Sequence, residues 1–284
     1  MDKIYELAIV GGGIAGYSAA LTAKSLALDT LWLGEELFGE KLLNAEYVRN
    51  YPGICGNGKE FSRRLLTQAE AEGVLLTPAR VDGVYALGEK FCLTEKGREY
   101  YARAVILATG VESKGALRGE REFLGKGVSY CAVCDGALYK GKTVAAVLSS
   151  PKFAEEAEYL ARFARKVICF CLYKDPAFRA ENIEIAKDVP LALEGEKRVS
   201  ALVCAHGKIS VDGVFFLKNS APPEAIAGGL KTEDGRVIVS RDLSTNLKGL
   251  FAAGDITGRP YQYVKAAGEG CTAAYSAYEY LRKG

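Results

Sequence analysis

The chain has 284 residues, a formal net charge of +2, 49% hydrophobic and 25% charged residues. That length exceeds a usual single domain, and the near-neutral charge gives no electrostatic argument for a nucleic-acid or membrane partner. No apolar run approaches the ~18 residues of a membrane span, Asp2 and Glu6 do not read as a secretory signal, and the eight cysteines are scattered, so a cytoplasmic protein is expected rather than a secreted disulfide scaffold.

Ile4 to Val10 reads as a strand. It feeds Gly11-Gly12-Gly13-Ile14-Ala15-Gly16 and then a helical run from Tyr17 to Leu28. In this strand, glycine turn, helix context Gly11 permits the tight turn, Gly13 lets a pyrophosphate approach the backbone, and Gly16 lets helix pack on strand. A second strand, Thr30 to Leu33, ends at Gly34-Glu35-Glu36, where an acid would reach an adenosine ribose. Asn50-Tyr51-Pro52-Gly53 is a turn, Phe61 to Glu72 an amphipathic helix, and Val81 to Leu87 with Phe91 to Thr94 a small antiparallel sheet. Ala104 to Ala108 is a buried strand ending at Thr109-Gly110. The charged, glycine-rich stretch from Glu112 to Gly127 reads as a linker.

Next comes Ser129-Tyr130-Cys131-Ala132-Val133-Cys134-Asp135-Gly136, a CxxC followed by an acid. Two thiols at this spacing close a small disulfide or bind a metal. A structural zinc site needs a second ligand pair, and Cys169-Phe170-Cys171 offers only a CxC, read here as same-face strand residues of a core. Lys142 to Leu148, a helix with Phe153, Ala157, Leu160, Ala161 and Ala164 on one face, and Val167 to Leu172 repeat the unit seen at residues 4–33. This copy has lost its glycines: Leu148, Ser150 and Phe153 stand in their places, and Pro151 removes a backbone donor. His206, the one histidine, is expected at the surface. Gly249 to Asp255 is an apolar strand ending in Gly-Asp, and a long alanine-rich helix runs from about Tyr263 to Leu281. An α/β chain is expected, with one large domain split in sequence by a smaller inserted one.

Together GGGIAG, Ala108-Thr109-Gly110, CAVCDG and FAAGD with Gln262-Tyr263-Val264 resemble the low-molecular-weight thioredoxin reductase family along nearly the whole chain. The resemblance implies two Rossmann-like, three-layer domains. Residues 1–114 with 245–284 would bind FAD, and residues 115–244 would carry the redox disulfide on a degenerate NADPH-type fold. It places Gly11, Gly13, Ile14, Ala15 and Gly16 along the FAD pyrophosphate and Gly34 and Glu35 near the ribose. The turn holding Lys41 and Leu42, with Asn50, lines the flavin side. Ala108, Thr109 and Gly110 belong to the same site, Gly254 and Asp255 serve the ribityl chain, and Gln262, Tyr263 and Val264 face the pyrimidine end. Cys131 and Cys134 become the redox pair and Asp135 the proton donor.

Family members that use NADPH carry a second glycine motif and a histidine-arginine-arginine cluster on the smaller domain. This chain reads Cys171-Leu172-Tyr173-Lys174 where the arginines should stand, so bidentate pairing with a 2′-phosphate is lost. The pattern is most similar to the ferredoxin-dependent flavin thioredoxin reductases. The expectation is therefore a homodimeric FAD enzyme reducing thioredoxin with electrons from ferredoxin. Competing expectations are NADPH through a degenerate site, a deazaflavin donor, or a flavin-binding redox sensor without turnover. Hinges are expected near residues 112–117 and 241–246, because one CxxC must meet both a flavin and a bulky protein disulfide.

Overall fold

The computed structural model describes residues 3–38, 42–43, 45–111, 117–218 and 221–283. By packing, the chain divides into two units, residues 1–111 with 222–284, and residues 112–221. Segment 222–244, expected with the inserted domain, packs instead with the first unit. Lys231 N–H donates to the Asn246 side chain at 2.8 Å, and the Asn246 amide donates to Gly229 O at 2.9 Å. The hinge expected at 241–246 therefore lies inside that unit, where Thr245 N–H also bonds Leu250 O at 3.0 Å. Its strands, Thr232–Glu233 and Arg236–Val237, are only two residues long each, too short to show a period in sequence.

The first unit is built on a seven-stranded sheet. Thr77–Pro78, Thr30–Gly34, Ile4–Val10, Arg98–Leu107 and Leu250–Ala252 lie side by side in that order, all parallel. The antiparallel pair Gly83–Leu87 and Lys90–Glu95 adds to the first half of Arg98–Leu107. Leu7, Ile9, Leu33, Ile106 and Leu107 are fully buried, as expected of parallel strands covered on both faces, and each contributes about 1.5–3 kcal/mol. The crossover helix Ile14–Ser25 lies against the last helix, Tyr263–Lys283, through small residues: Ala19, Ala23, Ala273, Ala274 and Ala277 have no exposed surface. Gly270 makes this approach possible, since a Cβ there would stand 2.1 Å from Ala15 O.

The second unit repeats the order of the first four of these strands. Ile183–Ile185, Lys166–Cys171, Thr143–Leu148, Gly213–Leu217 and Val128–Ser129 form a five-stranded, wholly parallel sheet. Numbered in order of appearance, the parallel strands of the first unit stand 3-2-1-4-5; those of the second stand 4-3-2-5-1 because Val128–Ser129 comes first in the chain, and the four strands after it repeat 3-2-1-4, the arrangement of a nucleotide-binding half. A three-stranded antiparallel sheet, Pro190–Gly195, Val199–Cys204 and Gly207–Ser210, completes this unit. Its crossover helix is only Ala154–Ala161, preceded by a short 3-10 turn at Pro151–Phe153. Proline at the first position of that turn delays the helix, so Phe153 enters the core from the turn rather than from a helical face.

Candidate functional site

In the first unit the glycine turn does three separate jobs. Gly11 has φ +126° and a Cβ there would meet Ala108 O at 2.2 Å; a Cβ on Gly16 would meet Gly11 O at 2.0 Å. Both glycines therefore serve protein packing. Gly13 differs: nothing lies within 4 Å of its would-be Cβ. It is also the N-cap of Ile14–Ser25, with no side chain capping that helix. A helix start with open backbone N–H groups and open space before it suits an anion such as a pyrophosphate.

Three of the other sequence-assigned residues, Gly34, Ala108 and Gly254, adjoin this turn. A Cβ on Gly34 would meet Gly12 N at 2.7 Å, and a Cβ on Gly254, at φ +88°, would meet the Ala15 Cβ at 2.8 Å. Ala108 N–H bonds Val10 O at 2.7 Å, which brings Thr109 and Gly110 to the same sheet end. Glu35 follows Gly34 and is exposed. The Asn50 amide donates to the Gln262 carbonyl at 2.6 Å, joining the two stretches assigned to the flavin side. Val264 is 42% exposed. Leu42 is a core residue, 1% exposed, and Lys41 lies outside the described residues. The cradle thus fits the pyrophosphate of FAD, which Gly13, Ile14 and Ala15 would hold.

Two supports were not read from the sequence. Tyr51, Phe61 and Tyr263 pack in series, the first pair tilted and the second edge-on, with centroids 4.8 and 6.0 Å apart. Burial raises the Tyr51 and Tyr263 phenols, and for Tyr263 the Asp255 carboxylate adds to it. Lys265 donates to Gly254 O, Gly258 O and Thr257 Oγ1 at 2.8–2.9 Å. It also pairs with Glu269 at 3.1 Å, while Gly254 N–H donates to Glu269 at 2.8 Å. This lysine and glutamate tie the Gly254–Asp255 turn to the last helix. Their i,i+4 spacing was the available signal.

The corresponding turn of the second unit is closed by protein. Leu148 is fully buried and Phe153 is 2% exposed, packed with Ala157 and Leu160 in the core. Pro151 offers no N–H to a phosphate. Cys169 is fully buried, and burial pushes its thiol far above the usual range; Cys171 lies half-buried at the strand end. The His206 side chain is 87% exposed.

Cys131 and Cys134 form a disulfide, with Cα atoms 5.3 Å apart. Cys131 is the N-cap of the short helix Ala132–Asp135, and its Sγ accepts the Cys134 N–H at 3.1 Å. Cys131 is buried and Cys134 exposed. An N–H donor and helix start beside a sulfur favour the thiolate once the bond is reduced, which is the form that exchanges. Asp135 closes the helix, with its N–H on Cys131 O at 3.2 Å. Both sulfurs are engaged in this bond.

A family model described as "Pyridine nucleotide-disulphide oxidoreductase" matches residues 5–270. The chain is 33% identical over 304 residues to a thioredoxin reductase of Listeria monocytogenes, covering 99% of this chain and 95% of the relative. Among solved structures it is similar to a ferredoxin-flavin thioredoxin reductase from Clostridium acetobutylicum, with 41% identity, a TM-score of 0.91 and full coverage of both chains. It is also similar to the atypical thioredoxin reductase TRi from Desulfovibrio vulgaris Hildenborough, at 29% identity, a TM-score of 0.75 and 98% coverage of each.

Proposed function

The chain belongs to the pyridine nucleotide-disulphide oxidoreductase family, and on that premise we propose that it is an FAD enzyme reducing thioredoxin with electrons from reduced ferredoxin. The observation that carries the choice of donor is the filled second turn. The first unit keeps an open glycine cradle at Gly13, whereas Phe153 and Leu148 occupy the equivalent region of the second. A pyridine nucleotide would find neither the space nor the backbone donors it needs. Similarity to a ferredoxin-flavin thioredoxin reductase over the whole chain supports the same donor.

Ferredoxin gives one electron at a time and a disulfide takes two, so the chemistry bound FAD supplies is storage between two encounters. The chain's own groups do the rest. Gly13, Ile14, Ala15, Gly34 and Glu35 hold the adenosine diphosphate half, on a turn packed by Gly11 and Gly16. Asn50, Ala108, Thr109, Gly110, Gly254, Asp255, Gln262, Tyr263 and Val264 hold the flavin half. Reduced Cys131 and Cys134 pass an electron pair on by exchange: one thiolate attacks the thioredoxin disulfide, a mixed disulfide forms, and the second thiol displaces it, restoring the Cys131–Cys134 bond and releasing the thioredoxin dithiol. Asp135 is the proton donor in this scheme. The discontinuous unit binds FAD and the inserted unit carries the disulfide. We place the enzyme in the cytoplasm, without a nucleic-acid partner, as a homodimer. Tyr275, 51% exposed on the last helix, is surface that a second copy would cover.

The test is anaerobic. The oxidised protein is mixed with reduced ferredoxin or with NADPH, and flavin bleaching and thioredoxin disulfide reduction are followed. Ferredoxin should bleach the flavin and drive thioredoxin reduction. Bleaching by NADPH alone would reverse the donor assignment, and turnover in Cys134→Ser would remove the disulfide from the scheme.

A further inference from the structure

Among the described residues only three polar or charged ones are classed as fully buried, Ser62, Glu120 and Ser129. Two of these, Glu120 and Ser129, bear on the disulfide. Ser129 Oγ accepts the Cys131 N–H at 3.1 Å and donates to Cys131 O at 3.3 Å. Glu120, 1% exposed, holds Tyr130, the residue immediately before Cys131. One carboxylate oxygen accepts the Tyr130 hydroxyl and the Lys218 ammonium, the latter at 2.7 Å; the other accepts the Leu117 N–H at 2.8 Å. Lys218 is part-buried, with 12% of its side chain exposed, and lies over the Tyr130 ring at 5.3 Å.

A buried ion pair is poor evidence of a stability role, because an apolar pair of similar volume does as well or better. What such a pair fixes is geometry. Val128–Ser129 runs parallel to Gly213–Leu217, with Ser129 opposite Phe215. Tyr130 and Lys218 therefore leave neighbouring strands at the same sheet end, and Glu120 draws them together. The backbone entering Cys131 is held from Ser129 by a hydroxyl and from Tyr130 by a carboxylate.

We propose that Glu120, with Tyr130 and Lys218, is a positioning group for the redox pair, fixing the segment that enters Cys131 so that its sulfur stays within bonding range of Cys134. This rests on the reading that Cys131 and Cys134 reduce thioredoxin. Holding two thiols together raises their effective concentration toward each other and favours the disulfide. Loosening the hold favours the dithiol and slows exchange.

The experiment compares the holoenzyme with Tyr130→Phe, which removes one oxygen, and with the charge-neutral double variant Glu120→Gln, Lys218→Met, which leaves no unpaired buried cation. The disulfide–dithiol equilibrium is measured against glutathione by thiol alkylation and mass spectrometry, and turnover with thioredoxin is measured with reduced ferredoxin as donor. The equilibrium should move about tenfold toward the dithiol, about 30 mV for a two-electron couple. The kcat for thioredoxin should fall about fivefold or more with KM unchanged, because a buried group before Cys131 does not touch the docking protein. Variants that keep their FAD and secondary structure but hold this equilibrium within twofold of the parent overturn the proposal. Cys134→Ser serves as the separate control: turnover there defeats the functional reading and not the positioning role.

Discussion

Gly13→Ala separates a glycine kept for a ligand from glycines kept for the fold. At Gly13 the backbone has φ −76° and ψ −176°, an extended conformation open to any residue, and no atom lies within 4 Å of the added methyl. Losing a tolerated N-cap residue costs about 0.5–1 kcal/mol, while removing glycine freedom from the unfolded chain returns about 0.4–1 kcal/mol. The cofactor-free protein should therefore melt within about 2 °C of the parent. If the pyrophosphate approaches this backbone, the methyl intrudes on a packed contact, at about 1–3 kcal/mol. Since 1.4 kcal/mol is about tenfold in Kd, FAD should bind about 5- to 150-fold more weakly. Titrating apoprotein with FAD and following flavin fluorescence gives the affinity, and a thermal melt without FAD gives the stability. Unchanged affinity would refute the cradle. A loss of more than about 5 °C without FAD would make Gly13 a structural glycine like Gly11 and Gly16.

Three further outcomes follow from the packing. Phe153→Ala should destabilise the protein by about 3–5 kcal/mol in denaturant unfolding without conferring NADPH oxidation, because Pro151 and Leu148 still deny the turn its donors and space. Lys265→Met should weaken FAD binding and lower stability by about 1–3 kcal/mol, since the Gly254 and Gly258 carbonyls and Glu269 lose a shared partner; a melting temperature that responds to saturating FAD as in the parent would count against this. Tyr17 is 3% exposed, and burial pushes its phenol up to about 12. A raised folded pKa means the stabilisation is complete below pH ~10 and is lost as pH rises toward about 12. Alkaline unfolding should therefore steepen between those limits, and Tyr17→Phe should flatten that part of the stability curve.

The glycine turn was legible because its chemistry is local: three glycines at fixed spacing each answer a different steric demand, and the structure has backbone packed against Gly11 and Gly16 and open space at Gly13. The missing glycines at Leu148, Ser150 and Phe153 were legible for the same reason. Glu120 was hidden because its partner Lys218 lies 98 residues away, and no spacing rule connects them. The limits of the inserted unit were misjudged because residues 222–244 form two-residue strands and single side-chain bonds rather than periodic elements. The helix after Thr143–Leu148 was read too long because Phe153 fits a helical stripe as well as it fits the core under a 3-10 turn.

The filled turn at Phe153 also bears on mass action. A ligand that binds only the folded state adds stability that scales with its concentration, about 2.7 kcal/mol when it stands 100-fold above its Kd. On the proposed function the first unit is subject to that rule and hardens or softens with the supply of FAD. The second unit carries the plug of its nucleotide turn in its own covalent chain. On the proposed function its share of the stability is set when the chain is made and does not vary with the pyridine nucleotide pool, so the unit bearing the disulfide keeps the same stability whether that pool is full or exhausted.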